Sequence, residues 1–199
     1  MTDSLTYIKR IGADTSSLLD NLAALRIEVF RDFPYLYEGS TEYEKEYLKT
    51  YSLSTDSMIF TVFDGDKMVG ATTCIPLMDE SEEVIEPFIK SGYKVEEIFY
   101  FGESILLKPY RGMGLGHRFF DEREKHAASF GQYKFTCFCA VQRPDDHILK
   151  PDNDRPNDKF WLHRDYLPMK DLISEFEWQD IGEKNPTKKP MMYWMKELK

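Results

Sequence analysis

Cysteine is scarce in this chain: Cys74, Cys137 and Cys139 are the three among 199 residues. An odd count without framework spacing argues against a disulfide-stapled secreted domain. Cys137 and Cys139 stand two apart and would share one face of a strand. No second ligand pair sits at a suitable spacing, so no metal is expected and packing thiols are the plain reading. No apolar run approaches the roughly 20 residues that cross a bilayer. The opening MTDSLTYIKR has no apolar stretch after a basic start, so neither a membrane span nor a signal peptide is expected, and the cytoplasm is the default location. Positive charge is in deficit, with 26 Lys and Arg against 35 Asp and Glu for a net charge of -9. Nonspecific binding to nucleic acid or anionic membrane needs a basic face, so neither is an expected partner. An amine substrate is compatible with the acidic balance. Repeats, low-complexity tracts and linkers are absent too, so residues 1–199 read as one α/β domain.

What the chain does contain is an alternation of strand and helix patterns. Thr6 to Ile11 reads as a strand, and Asp14 to Ser17 offers caps for a helix whose stripe is Leu18, Leu22, Leu25, Val29 and Phe33, stopped by Pro34. Tyr43, Tyr47 and Tyr51, four apart, predict a second helix with an aromatic face, for packing onto the sheet or for the wall of a pocket. Met58–Phe63 and Met68–Pro76 flank D-G-D-K, a hairpin signal. Asp79 to Glu97 is acidic and helix-like. Ile98 to Leu107 is almost wholly apolar, as a central strand covered on both faces should be. An amphipathic helix from about Gly114 to Phe130 follows, stopped by Gly131, then a strand over Lys134–Val141. After a Pro- and Asp-rich loop come a short helix at Asp158–Arg164 and strands near Leu172–Gln179 and Pro190–Lys196.

The junction Y-R-G-M-G-L-G-H, Tyr110 to His117, joins the apolar strand to the amphipathic helix. The first turn of a helix leaves N–H groups unpaired and carries positive partial charge, which suits phosphate. Gly112, Gly114 and Gly116 let backbone approach an anion, and Arg111 adds a fixed charge that forks onto phosphate oxygens. A P-loop would need Lys and then Ser or Thr where His117 and Arg118 stand. A dinucleotide fingerprint needs G-x-G-x-x-G, and the spacing here is G-x-G-x-G.

Arg111 to Gly116 matches R/Q-x-x-G-x-G/A, and with the order of elements from Leu5 to Leu198 the chain resembles the GNAT acetyltransferase superfamily. The resemblance implies a mixed, mostly antiparallel sheet of about six to seven strands, with one splayed parallel pair and helices on both faces. It implies an N-acetyltransferase that moves an acetyl group from acetyl-CoA directly onto a primary amine, of a small molecule or a protein, without an acyl-enzyme. It places the CoA pyrophosphate on Arg111, Gly112, Met113, Gly114, Leu115, Gly116 and His117, and pantetheine along Ser104, Ile105 and Leu106. Asn157, ahead of the last helix, takes the place where the family often has an Asn near pantetheine. A homodimer is compatible with it.

A protonated amine cannot attack, so a carboxylate near the slot is expected to take its proton. Glu103 is the candidate, because a charge inside F-Y-F-G-E-S-I-L-L needs a reason to be there. The other reading is a structural Glu paired with an Arg, or one facing solvent. Period two puts Tyr100 with Ser104 and Glu103 with Phe101, unless Gly102 marks a bulge and resets the parity, so Tyr100 is the second candidate. Family members often carry a Tyr in F-Y-x-x-x-G-F that protonates the leaving thiolate. Here the stretch is F-W-L-H-R-D-Y, with Trp161 at the Tyr position and Tyr166 at the final Phe. Indole N–H is a poor acid, which leaves His163, Cys139 or water for that task. It also keeps open a non-catalytic acyl-CoA sensor, and the aromatic surface of Tyr35, Tyr37, Tyr43 and Tyr47 keeps open a protein-interaction module.

Overall fold

A computed structural model describes residues 5–198. The first four residues, on which the reading of the N-terminus leans, and the last lie outside the described residues. β1 (Thr6–Ile11), β2 (Met58–Asp64) and β3 (Lys67–Pro76) form an antiparallel meander. The β2–β3 hairpin closes at Asp64↔Lys67, with Gly65 at φ 56°, a conformation that Asp-Gly turns select. β4 (Ile98–Tyr100) and β5 (Ser104–Leu106) both pair with β3. β6 (Phe135–Val141) lies parallel to β4, and β8 (Thr187–Glu197) then joins β6 to β7 (Leu167–Trp178). The sheet has eight strands in the order β1-β2-β3-β4-β6-β8-β7, with β5 beside β3.

The sequence-based count of six to seven rises to eight because the Ile98–Leu107 run is cut in two at Phe101–Glu103. There Gly102 is pressed so closely that a Cβ would collide with Tyr51 Oη and lie 2.6 Å from Thr73 Oγ1. The break resets side-chain parity. Tyr100 meets Cys139 and Tyr193, Phe101 turns away toward Phe120 and Tyr166, and Glu103 returns to the face of Arg26 and Tyr51.

Helices cover both faces. On one lie α1 (Leu19–Phe30), α2 (Thr41–Leu53) and α3 (Glu82–Lys90); on the other lie α4 (Leu115–Ala128) and α5 (Asp158–His163). The two cores are distinct. Phe101, Phe120, Phe138 and Tyr166 pack under α4, while Leu22, Leu25, Leu48 and Tyr51 pack under α1 and α2. Three expectations are corrected. A 3-10 turn, Gly12–Leu18, precedes α1, and neither it nor α1 has a side-chain cap. In α2, Tyr43 is 56% exposed and the buried set is Glu44, Leu48 and Tyr51, because a strict spacing of four drifts around a helix of 3.6 residues per turn. β7 starts at Leu167 rather than Leu172, with an irregularity between Met169 and Ile173. No described helix is long and apolar enough to cross a membrane.

Candidate active site

β4 and β6 run side by side for only three pairs, Ile98↔Phe135, Phe99↔Thr136 and Tyr100↔Cys137, and the last bond between them is Phe101 N–H to the Cys137 carbonyl at 2.7 Å. Beyond it β5 pairs with β3 alone and the rest of β6 with β8 alone, so a wedge opens between them. Glu103 C=O accepts from Thr73 N–H, and Leu107 N–H donates to Val69 C=O. Antiparallel alternation therefore turns the Ile105 backbone toward β3 and that of Ser104 and Leu106 into the wedge. Arg111 Nε donates to the Leu106 carbonyl at 3.1 Å, so its guanidinium stands over the mouth.

The wedge ends at the glycine turn. Gly112 (φ 77°) and Gly114 (φ 81°) both adopt the left-handed region, and Gly114 caps α4 with no side-chain cap on the first-turn N–H groups. A Cβ at either glycine would meet nothing within 4 Å, so the turn is open. Backbone N–H groups, a helix N-terminus and Arg111, with no carboxylate in the turn, are the donor set that a diphosphate needs. Gly116 differs: a Cβ there would make an ordinary contact with Phe160 at 3.5 Å, and His117 meets the same ring edge-on. Leu115 is buried and anchors the turn, whereas Met113 is 55% exposed. Asn157 is exposed; its carbonyl accepts from Trp161 N–H and its side chain caps nothing.

At the closed end of the wedge sits a polar cluster. Glu103, 4% exposed, is ion-paired through Oε1 with Arg26, and its Oε2 accepts from the Tyr51 and Thr73 hydroxyls. Arg26 also pairs with Glu44 and lies over the Phe30 and Tyr47 rings. Glu103 thus sits in the arginine pairing that was its structural reading. Tyr100 closes the apex, its hydroxyl 3.1 Å from Cys139 Sγ. Burial, helped by Cys139, holds the phenol well above its ordinary value, and burial pushes the Cys139 thiol up to about 12. Trp161 packs edge-on against Phe138 and Trp194, and His163 is exposed. Above the cluster, Pro34–Glu38 is stitched to Trp178–Ile181: Glu38 N–H reaches the Gln179 carbonyl, Ile181 N–H the Leu36 carbonyl and Trp178 Nε1 the Tyr35 carbonyl. Arg143 ties the Pro34 and Tyr35 carbonyls to Asp180.

The sequence profile of the acetyltransferase (GNAT) family matches residues 22–149, which contain the wedge, the glycine turn and the cluster. The chain belongs to the GNAT family. Comparison with curated proteins finds no match. Solved structures of similar fold include Arabidopsis thaliana NAA60 in complex with a bisubstrate analogue, at 11% identity and TM-score 0.59, covering 98% of this chain and 100% of that one. An N-acetyltransferase from Staphylococcus aureus is similar at 11% identity and TM-score 0.58, covering 98% and 99%. An acetyltransferase from Thermus thermophilus is similar at 14% identity and TM-score 0.55, covering 99% of each chain. At such identities the likeness shows the fold alone. Acetyl transfer in general follows from membership of the GNAT family.

Sequence reasoning missed Arg26, Glu44, Glu80 and the Arg143–Asp180 tie. A signal existed for two of them. Arg26 falls four residues after Leu22 and three before Val29, inside the apolar stripe, and Glu44 shares a face with Leu48 and Tyr51. Neither Glu80 nor Arg143 lies in a periodic pattern.

Proposed function

We propose that this protein is an N-acetyltransferase that transfers an acetyl group from acetyl-CoA to a primary amine by direct attack. The observation that carries the reading is the one-sided parting of β5 from β6 at Tyr100, with its free backbone edge running into an open, glycine-lined helix N-terminus. In this reading Arg111 and the turn from Gly112 to His117 hold the pyrophosphate. Ser104 and Leu106 offer backbone groups to pantetheine, Ile105 holds that strand to β3, and Asn157 borders the far side. Bound acetyl-CoA supplies an activated acyl carbonyl at the apex. Tyr100 stands there as a protonated phenol and serves as the proton donor to the departing sulfur. Glu103, with both oxygens engaged, shapes the acceptor half by holding Arg26 and Tyr51 in place. The stitched segment over the cluster favours a small amine over an extended polypeptide.

The test is thiol release from acetyl-CoA, followed with a thiol reagent across a panel of amines, beside calorimetric binding of acetyl-CoA. Release that depends on an amine, with the amide found by mass spectrometry, is expected. Tight acetyl-CoA binding without release for any amine turns the conclusion to a non-catalytic acyl-CoA sensor. No binding at all overturns the assignment of the wedge.

A further inference from the structure

Glu80 differs from the other carboxylates buried on the α1–α3 face. It follows the 3-10 turn Leu77–Asp79 at the end of β3 and precedes Ser81, the residue before α3. Only 8% of it is exposed, yet it has no ion-pair partner among the described residues. Its Oε2 accepts a long bond of 3.3 Å from Ser81 N–H, and its Oε1 is buried with no hydrogen-bond partner. Glu44 also leaves one oxygen free, but its other oxygen holds Arg26, as Glu103 does. A buried carboxylate with an orphaned oxygen costs stability. Such a group persists where a ligand completes it.

Glu80 follows the end of β3, where Ile75 pairs with Tyr100, the residue at the wedge apex. Arg26 of α1 and Asp79 of its own turn act on it. Its charge in turn acts on Tyr47 and Tyr51 of α2, Tyr100 of β4, Cys137 and Cys139 of β6 and Tyr193 of β8. Four phenols, of Tyr47, Tyr51, Tyr100 and Tyr193, lie within range of its charge, and Arg26, the cation in reach, is already shared between two other carboxylates. Those features suit an ammonium group: one unpaired carboxylate oxygen, phenols within range of its charge, and no cation among the described residues bonded to it.

We propose that Glu80 is the proton acceptor of the reaction, its free Oε1 receiving the ammonium group of the acceptor and taking one of its protons. The inference rests on the acetyl-transfer reading above. Burial pushes the carboxyl up to about 7, against the Ser81 N–H bond and Arg26, which lower it, and with Asp79, which raises it further. A base poised near neutrality both ionises at working pH and holds a proton well. Glu80 takes the first proton from the ammonium nitrogen. That neutral nitrogen forms the C–N bond to the acyl carbon as the C–S bond breaks, and Tyr100 gives its phenolic proton to the sulfur. The second amine proton restores the phenol, and Glu80 releases its own to solvent. Amide, free thiol and one proton balance the reaction.

The experiment uses the full chain, Glu80→Gln and Glu103→Gln, and an amine that binds the CoA complex. Acetyl-CoA affinity of Glu80→Gln is expected within about twofold of the parent. Its kcat should fall by roughly 10²–10⁴, and the limb of the parent's pH–rate profile that rises through an apparent pKa near 7 should vanish. Amine binding to the CoA complex, measured calorimetrically near pH 6.5 in two buffers of different ionisation enthalpy, should release protons from the parent and not from the variant. This last readout needs no turnover, so it judges Glu80 even where acetyl transfer fails for other reasons. Unchanged kcat, a persisting inflection, equal proton release, or the whole effect appearing in Glu103→Gln instead would overturn the proposal. If acetyl-CoA binds and no amine binds or reacts, the acetyl-transfer reading and the proposal fall together.

Discussion

At the Arg111–His117 turn the polar groups point outward into open space; at the Arg26–Glu103 cluster they are packed away from water and, save for one oxygen of Glu44, satisfy one another. Both lie along the same wedge, and they solve opposite problems. The turn presents backbone N–H groups and one exposed guanidinium, so its charge stands solvated. The cluster keeps Arg26, Glu44 and Glu103 buried permanently, so each charge must have a partner in place. A site for a bulky, common donor can stand open, whereas a site that chooses an acceptor gains from a dry, preformed wall. Glu80 lies between the two, buried like the cluster and incomplete like the turn.

Breaking the cluster should have the largest effect. Arg26→Met leaves two buried carboxylates without their cation and should cost about 3–5 kcal/mol of stability, read as the shift of the urea midpoint. A loss below about 1 kcal/mol would mean that the pair is solvated and the contrast with the turn does not hold. Arg26→Lys keeps the charge and should lose less.

Removing the incomplete charge should move stability the other way. The native carboxyl of Glu80 lies near 7 against an ordinary 4.5, so the native state favours its protonated form. The stability this contributes is present in full below pH 4.5 and is lost as pH rises through about 7. Glu80→Gln does not titrate. Relative to the parent it should gain on the order of 2–3 kcal/mol between pH 4.5 and pH 8. Urea melts at the two pH values check this, and a variant less stable than the parent at pH 8 would contradict it.

At the turn, effects should fall on binding rather than folding. Arg111→Ala should weaken acetyl-CoA by roughly tenfold to a hundredfold, the worth of a charge-assisted contact, with an unchanged urea midpoint in the absence of ligand. Unchanged affinity would remove the pyrophosphate assignment. Gly114→Ala places a Cβ in open space but at φ 81°, so its stability cost should be strain alone, about 1–2 kcal/mol. A larger cost would show that the turn is packed and not open.

The strand that bounds the wedge and the turn after it were legible in the amino-acid sequence because both are local, whereas the parting of that strand from β6 was an implication of the family resemblance. The apolar strand from Ile98, the glycines and Arg111, and the amphipathic helix after them lie within one continuous stretch, and the chemistry of the turn belongs to backbone in a defined conformation. Even the parity break at Gly102 could be named from its position in the strand. The helix that buries Tyr51 was legible too, but not the rotation that exposes Tyr43, because a spacing of four does not say which edge of the stripe faces the sheet.

By itself, then, the sequence determined the order of the elements and the glycine turn ahead of α4, each set by periodicity and by residues a few positions apart, while the parallel strand pair came as an implication of the family resemblance. Only the tertiary structure decided which carboxylate meets which arginine. Glu103 and Arg26 stand 77 residues apart, Arg26 and Glu44 stand 18 apart, and no local pattern couples them. The same packing decided that Glu80 would be buried with one oxygen unpaired. Burial and partnership are properties of the space where helices, loop and strands converge, and a side chain's role in that space depends on what the other elements have already claimed.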